Sequence, residues 1–294
     1  MDRKDLSSYY EWFEGYASRV HCPDAEIEKN ILLKLSHTTR VCKNIIVIAG
    51  SLGMKEEDLA LAQALALFHD VGRFEQLRIF GSFNDSTTVD HALLGLKVIN
   101  SSKVISGLPK RERNIIRKSI WYHNKYQIPV TEKADIILFS KLIRDADKLD
   151  ILGIIAEHFE TRDRHPNQAL DFGLIDELGL TEEAVSDILQ GKMVRIAALK
   201  TLGDLRLMYS SWIFDINFPA TLACIKERGY LERLLADLSL EPEILQVKDF
   251  LQAHMEKEKM SARFGRSALA FPVRSCNNRG SFVDLHCHDL FAGR

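Results

Sequence analysis

The chain has 294 residues, of which 46% are hydrophobic and 27% charged, and its formal net charge at pH 7 is -2. These values are typical of a globular protein, so they exclude a disordered chain, a collagen-like repeat and a small disulfide scaffold. A nearly neutral chain has no overall field that attracts nucleic acid or anionic lipid. We therefore expect nucleic acid not to be a partner.

The sequence contains no recognisable targeting or membrane segment. Its start, MDRKDLSSYYEWFEGY, lacks the apolar run of a signal peptide, and apolar stretches such as IIVIA at 45–49 are too short to cross a bilayer. The five cysteines form no CxxC pair, which argues against a zinc ribbon. We expect a cytoplasmic protein without a membrane partner, and a homo-oligomer is compatible with the sequence.

Helical periodicity dominates the chain, and alternating strands separated by hairpin turns are not evident. The pattern predicts an all-α fold. Gly50 and Gly72 are interpreted as residues at which helices end. The predicted helices of the first half run from after Asp24 to Gly50, from Glu56 to before Gly72, from Thr88 to Asn100, from Pro109 to about His123, and from after Thr131 towards Asp147.

The second half is also predicted to be helical, and no change of composition marks a linker. We expect residues 161–260 to form a helical extension that packs on a core formed by residues 20–160. Residues 261–294 lose periodicity and predict an irregular tail. The sequence HCHD at 286–289 lies in this tail, so we interpret it as part of an irregular segment rather than as a structured metal site.

Four histidines in the first half fall on apolar faces of their predicted helices, where polar rings are unusual. A single inward histidine is more often a core residue than a ligand. Two aspartates accompany these rings, however: one directly follows a histidine, and the other lies between Ile143 and Ile151 on an apolar row. The six residues are His37, His69, Asp70, His91, His123 and Asp147.

A metal centre would explain this group of inward polar side chains. Buried carboxylates without partners are costly, and a metal ion removes the penalty by accepting their lone pairs. Imidazole with carboxylate suits Mn, Fe, Co, Ni or Zn, and Mg is compatible when carboxylates and water dominate. Six groups are enough for two ions roughly 3.5 to 4 Å apart that share a carboxylate and a water. Asp70, which adjoins His69, is the predicted shared carboxylate.

Residues 20–160 resemble the HD-domain superfamily of metal-dependent phosphohydrolases. The resemblance rests on the order of five segments: His37, then His69-Asp70 in ALALFHDVGRFEQ, His91 in DHALLGLKVI, His123 in WYHNKYQIP and Asp147 in LIRDADKLDIL. It implies an all-α helical bundle with divalent metal ions, two in number. It also implies a first site formed by His37, His69, Asp70 and Asp147, and a second site that His91 and His123 complete around Asp70.

The resemblance implies an enzyme that cleaves a phosphate ester or phosphoanhydride of a small molecule, with nucleotides among the candidate substrates. A metal-bound hydroxide would attack phosphorus while the ions polarise the phosphoryl oxygens. Two alternatives stay open. Mixed-valent diiron oxygenases such as myo-inositol oxygenase have the same ligand order, and a ligand-sensing protein would bind without turnover. Neither a GYP sequence nor an HDxxED motif is present, so the resemblance does not identify the substrate.

Four residues are predicted to act in catalysis: Asp70, Arg73, Lys125 and Lys148. Arg73 lies three residues after Asp70, just past a glycine, and its guanidinium could donate two hydrogen bonds to a phosphate. The competing interpretation is a surface salt bridge between Arg73 and Glu75. Lys125 and Lys148 each closely follow a predicted ligand, although the charges around Lys148 also fit a solvated helix face.

Overall fold

A computed structural model describes residues 1, 3–85, 87–174, 179–238 and 243–264. Within these ranges the regular structure is helical and no strand occurs, which confirms the predicted all-α fold. None of the described helices combines the length and the apolar character that crossing a membrane requires. The helices are α1 (Arg3–Ala17), α2 (Ala25–Ser51), α3 (Glu56–Phe68), α4 (Val71–Phe80), α5 (His91–Ser102), α6 (Lys110–His123), α7 (Ala134–Thr161), α8 (Gln168–Asp171), α9 (Glu182–Leu189), α10 (Leu202–Ser211), α11 (Pro219–Glu227), α12 (Tyr230–Leu234) and α13 (Ile244–Phe264).

The chain folds into two compact units, whose described residues lie within 1–147 and 148–273. The boundary falls inside α7, so this helix contributes residues to both units. The packing of residues 161–260 on the core stays a prediction. Helix α13 continues to Phe264, past the predicted start of the tail at residue 261. The HCHD sequence at 286–289 lies outside the described residues.

Helix α1 was not among the predicted helices. Its buried side chains Tyr9, Phe13 and Ala17 recur every four residues, which is the spacing of one helix face. The Tyr9 ring meets Phe68 of α3 edge-on, with 5.3 Å between the ring centroids. This apolar row is visible in the sequence, and it packs α1 against α3, the helix that directly precedes His69 and Asp70.

Helix α2 begins where the sequence predicts. The Asp24 carboxylate accepts hydrogen bonds from the backbone N–H groups of Glu26 and Ile27, at 2.9 and 3.1 Å, and so caps the helix. Val41 and Ile45 on its inner face are completely buried, and α2 packs against α3 and α4. One face of α2 is therefore directed into the interior of the first unit.

The prediction of one helix from Glu56 to before Gly72 is wrong at its end. Helix α3 ends at Phe68, and a separate helix, α4, begins at Val71. Gly72 lies in the first turn of α4, where a Cβ atom would come within 2.1 Å of the His91 carbonyl oxygen. The glycine therefore permits close approach of α4 to α5 instead of ending a helix. The break leaves His69 and Asp70 side by side and buried.

Three further helices approach this break: α5 at its start, α6 at its end and α7 near its middle. Helices α5 and α6 match their predicted spans to within three residues, and α7 begins near the predicted position but continues beyond Asp147. The Ser140 hydroxyl of α7 donates to that of Ser119 in α6, at 3.1 Å. The Asn44 side-chain amide of α2 donates to the Ala146 carbonyl, at 3.3 Å. These contacts join α2, α6 and the first half of α7.

Candidate metal centre

The six predicted metal ligands come together in the interior of the first unit. The rings of His37 and His69 are completely buried, and 16% of the Asp147 side chain is exposed. The ligands come from different helices: His37 lies in α2, His69 and Asp70 in the break between α3 and α4, His91 at the start of α5, His123 at the end of α6 and Asp147 in α7.

A first group surrounds the Nε2 atom of His37. This atom lies 3.3 Å from His69 Nε2, 3.1 Å from Asp147 Oδ1 and 3.5 Å from Asp70 Oδ2. His69 Nε2 is also 3.5 Å from Asp70 Oδ2, and it is 3.7 Å from Asp147 Oδ1. Two imidazole nitrogens and two carboxylate oxygens therefore face one small volume.

A second group lies on the other side of Asp70. His91 Nε2 and His123 Nε2 are 2.9 Å apart. Asp70 Oδ1 is 3.3 Å from the former and 3.7 Å from the latter. The two oxygens of Asp70 thus face two different pairs of histidines, and each group of two histidines with Asp70 could hold a metal ion.

Hydrogen bonds at the far side of the rings set the tautomers. A carbonyl or carboxylate oxygen can only accept, so a neutral ring that touches one through Nδ1 carries its proton there and has a lone pair on Nε2. Lone pairs that face each other repel unless a cation lies between them, so these rings suit metal ligation. Three rings have such contacts: His69 with the Ala66 carbonyl at 2.7 Å, His123 with the Ile120 carbonyl at 2.6 Å, and His91 with Asp85 Oδ2 at 2.6 Å.

Asp147 provides an independent sign of the same chemistry. Its Oδ1 atom is buried and, among the described residues, makes no hydrogen bond of acceptable geometry, although the two nearby histidine nitrogens lie within 3.7 Å. A buried carboxylate oxygen without a hydrogen bond is costly. A divalent cation would satisfy it, so the residues present fit a metal ion.

The charges around the centre favour metal-binding protonation states. Burial by itself raises the pKa of Asp70, but the Lys34 ammonium group, 2.7 Å from Asp70 Oδ2, and the surrounding histidines together hold this pKa well below its usual range. Burial lowers the pKa of His91 to about 4, and the Arg73 guanidinium acts in the same direction. The carboxylate is therefore ionised and the imidazole neutral near pH 7, as ligation requires.

Sequence reasoning missed two residues beside the ligands. Lys34 precedes His37 by about one helical turn, and this spacing indicates that the two side chains lie on the same face of α2. Asp85 lies in the loop between α4 and α5, where no periodicity identifies it. Besides the His91 ring, Asp85 accepts hydrogen bonds from Arg73 at 2.8 Å and Gln76 at 2.9 Å. It therefore links a ligand to a cation.

Arg73 lies at the edge of the centre. Its Nη1 atom donates to the Phe83 carbonyl at 2.6 Å and to Asp85 at 2.8 Å, and its Nε atom is 3.8 Å from Asp70 Oδ1. Glu75, the partner in the competing interpretation, pairs instead with Arg78 at 2.7 Å. The guanidinium is therefore held beside the ligands.

The other two cations predicted to act in catalysis pair elsewhere. The Lys125 ammonium pairs with Asp90 and lies 4.2 Å from the centroid of the Trp121 ring. The Lys148 ammonium pairs with Asp215 of the second unit. These pairings do not involve the predicted metal ligands, and catalytic roles for Lys125 and Lys148 stay predictions.

Comparison with known families agrees with the ligand geometry. Residues 35–152 match the family model of the HD domain, and this range contains all six predicted ligands. Residues 35–152 thus form an HD domain, which confirms the resemblance identified from the motif order. HD domains bind divalent metals and form a family of metal-dependent phosphohydrolase type. Comparison with curated proteins and with solved structures found no match.

Proposed function

We propose that this protein is a metal-dependent phosphohydrolase that cleaves a phosphate ester or phosphoanhydride of a small molecule at a binuclear centre. The main support is the position of Asp70, whose Oδ2 lies 3.5 Å from one pair of histidine nitrogens and whose Oδ1 lies 3.3 and 3.7 Å from another. A carboxylate shared in this way is what a pair of metal ions requires.

The two groups of ligands would divide between two ions. His37, His69, Asp147 and Asp70 Oδ2 would hold the first, and His91, His123 and Asp70 Oδ1 the second. When bound, the ions would lower the pKa of a shared water and polarise the phosphoryl oxygens. In the overall reaction, the water oxygen forms a bond to phosphorus, the bond from phosphorus to the leaving oxygen breaks, and that oxygen takes a proton.

The surrounding residues would orient the reacting groups. The hydrogen bond from His91 to Asp85 fixes the ring with Nε2 inward. Arg73 is held through Nη1, so its Nε–H is available to a phosphoryl oxygen beside Asp70. A cation held in advance stabilises the charge that develops in the transition state without having to reorganise.

Reconstitution of the metal-depleted protein tests this function. The protein is loaded anaerobically with Mn²⁺, Fe²⁺, Co²⁺, Ni²⁺, Zn²⁺ or Mg²⁺, and phosphate release is measured on a panel of phosphate monoesters, diesters and nucleotides. We expect hydrolysis without oxygen, lost in Asp70→Ala and Asp147→Ala and kept in the control Glu57→Ala, an exposed carboxylate of α3. Strict dependence on O₂ without phosphate release would replace this proposal with a diiron oxygenase.

A further inference from the structure

Lys34 is placed beside the metal ligands but is not itself a ligand. Its ammonium group lies 2.7 Å from Asp70 Oδ2, the oxygen that faces His37 and His69. An ammonium group has three N–H donors. Asp70 takes one of them, and no other described residue accepts a hydrogen bond from Lys34. The side chain is 13% exposed, so the remaining donors lie at the edge of the centre rather than in bulk solvent.

Arg73 has a corresponding position on the opposite oxygen of Asp70. Its Nε atom is 3.8 Å from Asp70 Oδ1, is buried, and has no hydrogen-bond partner among the described residues. A buried donor of a charged group without an acceptor is costly. An anionic oxygen supplied by a ligand would satisfy it.

The loop before α5 brings both cations against one side chain. The Lys34 Nζ atom lies 5.5 Å from the centroid of the Phe83 ring, and the Arg73 Cζ atom lies 5.8 Å from it. The Phe83 carbonyl also accepts a hydrogen bond from Arg73. Because both cations border the same partly exposed ring, they belong to one edge of the metal centre, and this edge faces partly towards solvent.

We propose that Lys34 and Arg73 together bind a doubly charged phosphoryl group, so that the site selects phosphate monoesters or terminal phosphoanhydrides over internal phosphodiesters. This inference rests on the proposed phosphohydrolase function. A terminal phosphoryl group carries two negative charges and three non-bridging oxygens, whereas an internal diester carries one charge and two such oxygens. Two cations with unused donors beside the metal ligands complement the terminal group better.

Anion binding without turnover tests the inference. The metal-loaded protein is titrated calorimetrically at pH 8 with inorganic phosphate, a dianion, and with dimethyl phosphate, a diester monoanion. We expect the wild-type protein to bind phosphate at least about tenfold more tightly. Lys34→Met should weaken phosphate binding by about tenfold or more, since a hydrogen bond between two charged groups is stronger than one between neutral groups. It should change dimethyl phosphate binding less than about twofold.

Matched variants separate recognition from a structural role. Lys34→Arg keeps the charge and should restore most of the preference for phosphate. Lys43→Met removes an exposed lysine of the same helix and should behave as wild type. Bound metal, measured by mass spectrometry, should be unchanged in all three variants.

Three results would overturn the inference. Equal affinity of the wild-type protein for both anions would do so even if Lys34→Met failed to fold. Loss of metal from Lys34→Met would show that Lys34 acts only as the counter-ion of Asp70 and does not bind the phosphoryl group. If this variant bound phosphate and dimethyl phosphate more weakly by the same factor, Lys34 would have only a general electrostatic effect. Absence of hydrolysis on the phosphoester panel, with the anion preference intact, would count against the proposed function and not against anion recognition.

Discussion

Buried polar residues are arranged differently in the two units of this protein. In the second unit one such group consists of complementary side chains: His158 lies 2.7 Å from the Asp171 carboxylate, which also contacts Arg162 at 3.2 Å. In the first unit, four histidines and two aspartates converge, and like groups face each other, as in the 2.9 Å approach of His91 and His123. Paired groups satisfy one another, whereas converging lone pairs require a cation.

Two buried histidines make this difference specific. His91 and His158 each contact a carboxylate, Asp85 and Asp171 respectively, at 2.6 and 2.7 Å. The second nitrogen of His91 faces His123 and Asp70, whereas His158 belongs to none of the groups of described residues that could hold a metal. A histidine–carboxylate pair is thus not sufficient evidence of a metal site. The surroundings of the second ring nitrogen distinguish the two cases.

Removing the shared carboxylate should have the largest effect. We expect Asp70→Ala to lose most bound metal and to lower kcat/KM by at least about a thousandfold, because both groups of ligands depend on this residue. Asp171→Ala is the matched change in the second unit. It should leave the metal content unchanged and lower the free energy of unfolding by about 3 to 5 kcal/mol, since it leaves a buried partner unpaired. Full metal occupancy in Asp70→Ala would contradict the assignment.

Arg73→Ala should affect the reaction but not the metal. We expect unchanged metal content and a loss in kcat/KM equivalent to about 2 to 4 kcal/mol, if the guanidinium contacts the phosphoryl group in the transition state. Steady-state kinetics on the substrate found by the phosphoester panel measures this loss. An unchanged kcat/KM would remove Arg73 from the active site.

Asp85→Asn should weaken one group of ligands selectively. Residues that orient a metal-binding histidine typically contribute about 10-fold to 100-fold in metal affinity. We therefore expect the ion held by His91 and His123 to dissociate more readily, with the other ion retained, in a chelator competition assay. Asp171→Asn serves as the control in the second unit. Equal metal affinity in Asp85→Asn and wild type would show that Asp85 has no part in holding the ligand.

A surface pair of the second unit should show the smallest effect. Arg233 forms two hydrogen bonds with the partly exposed Glu160, at 2.6 and 2.7 Å. Exposed ion pairs contribute about 0 to 1 kcal/mol, so Arg233→Ala should change thermal stability little and metal content not at all. A loss of metal in this variant would contradict the conclusion that metal binding depends on residues of the first unit only.

The sequence predicts the group of converging histidines and aspartates better than their surroundings, for a physical reason. A polar ring on an apolar helical row stands out because burial without a partner is costly, so His37 and Asp147 are identifiable from periodicity alone. Asp85 lies in a loop whose conformation depends on tertiary contacts, and it has no such signal. The sequence does not reveal the role of Gly72, because a glycine that terminates one helix equally permits close approach of another, and only the position of His91 distinguishes the two.

The number of metal ions per chain tests the shared role of Asp70 most directly. Protein purified anaerobically and reconstituted with a divalent metal should bind two ions per chain, measured by mass spectrometry of the metal and amino-acid analysis. We expect Asp147→Ala and His123→Ala each to retain one ion, because each removes a ligand from a different group. A wild-type chain that binds one ion, or a His123→Ala variant that still binds two, would contradict a binuclear centre bridged by Asp70.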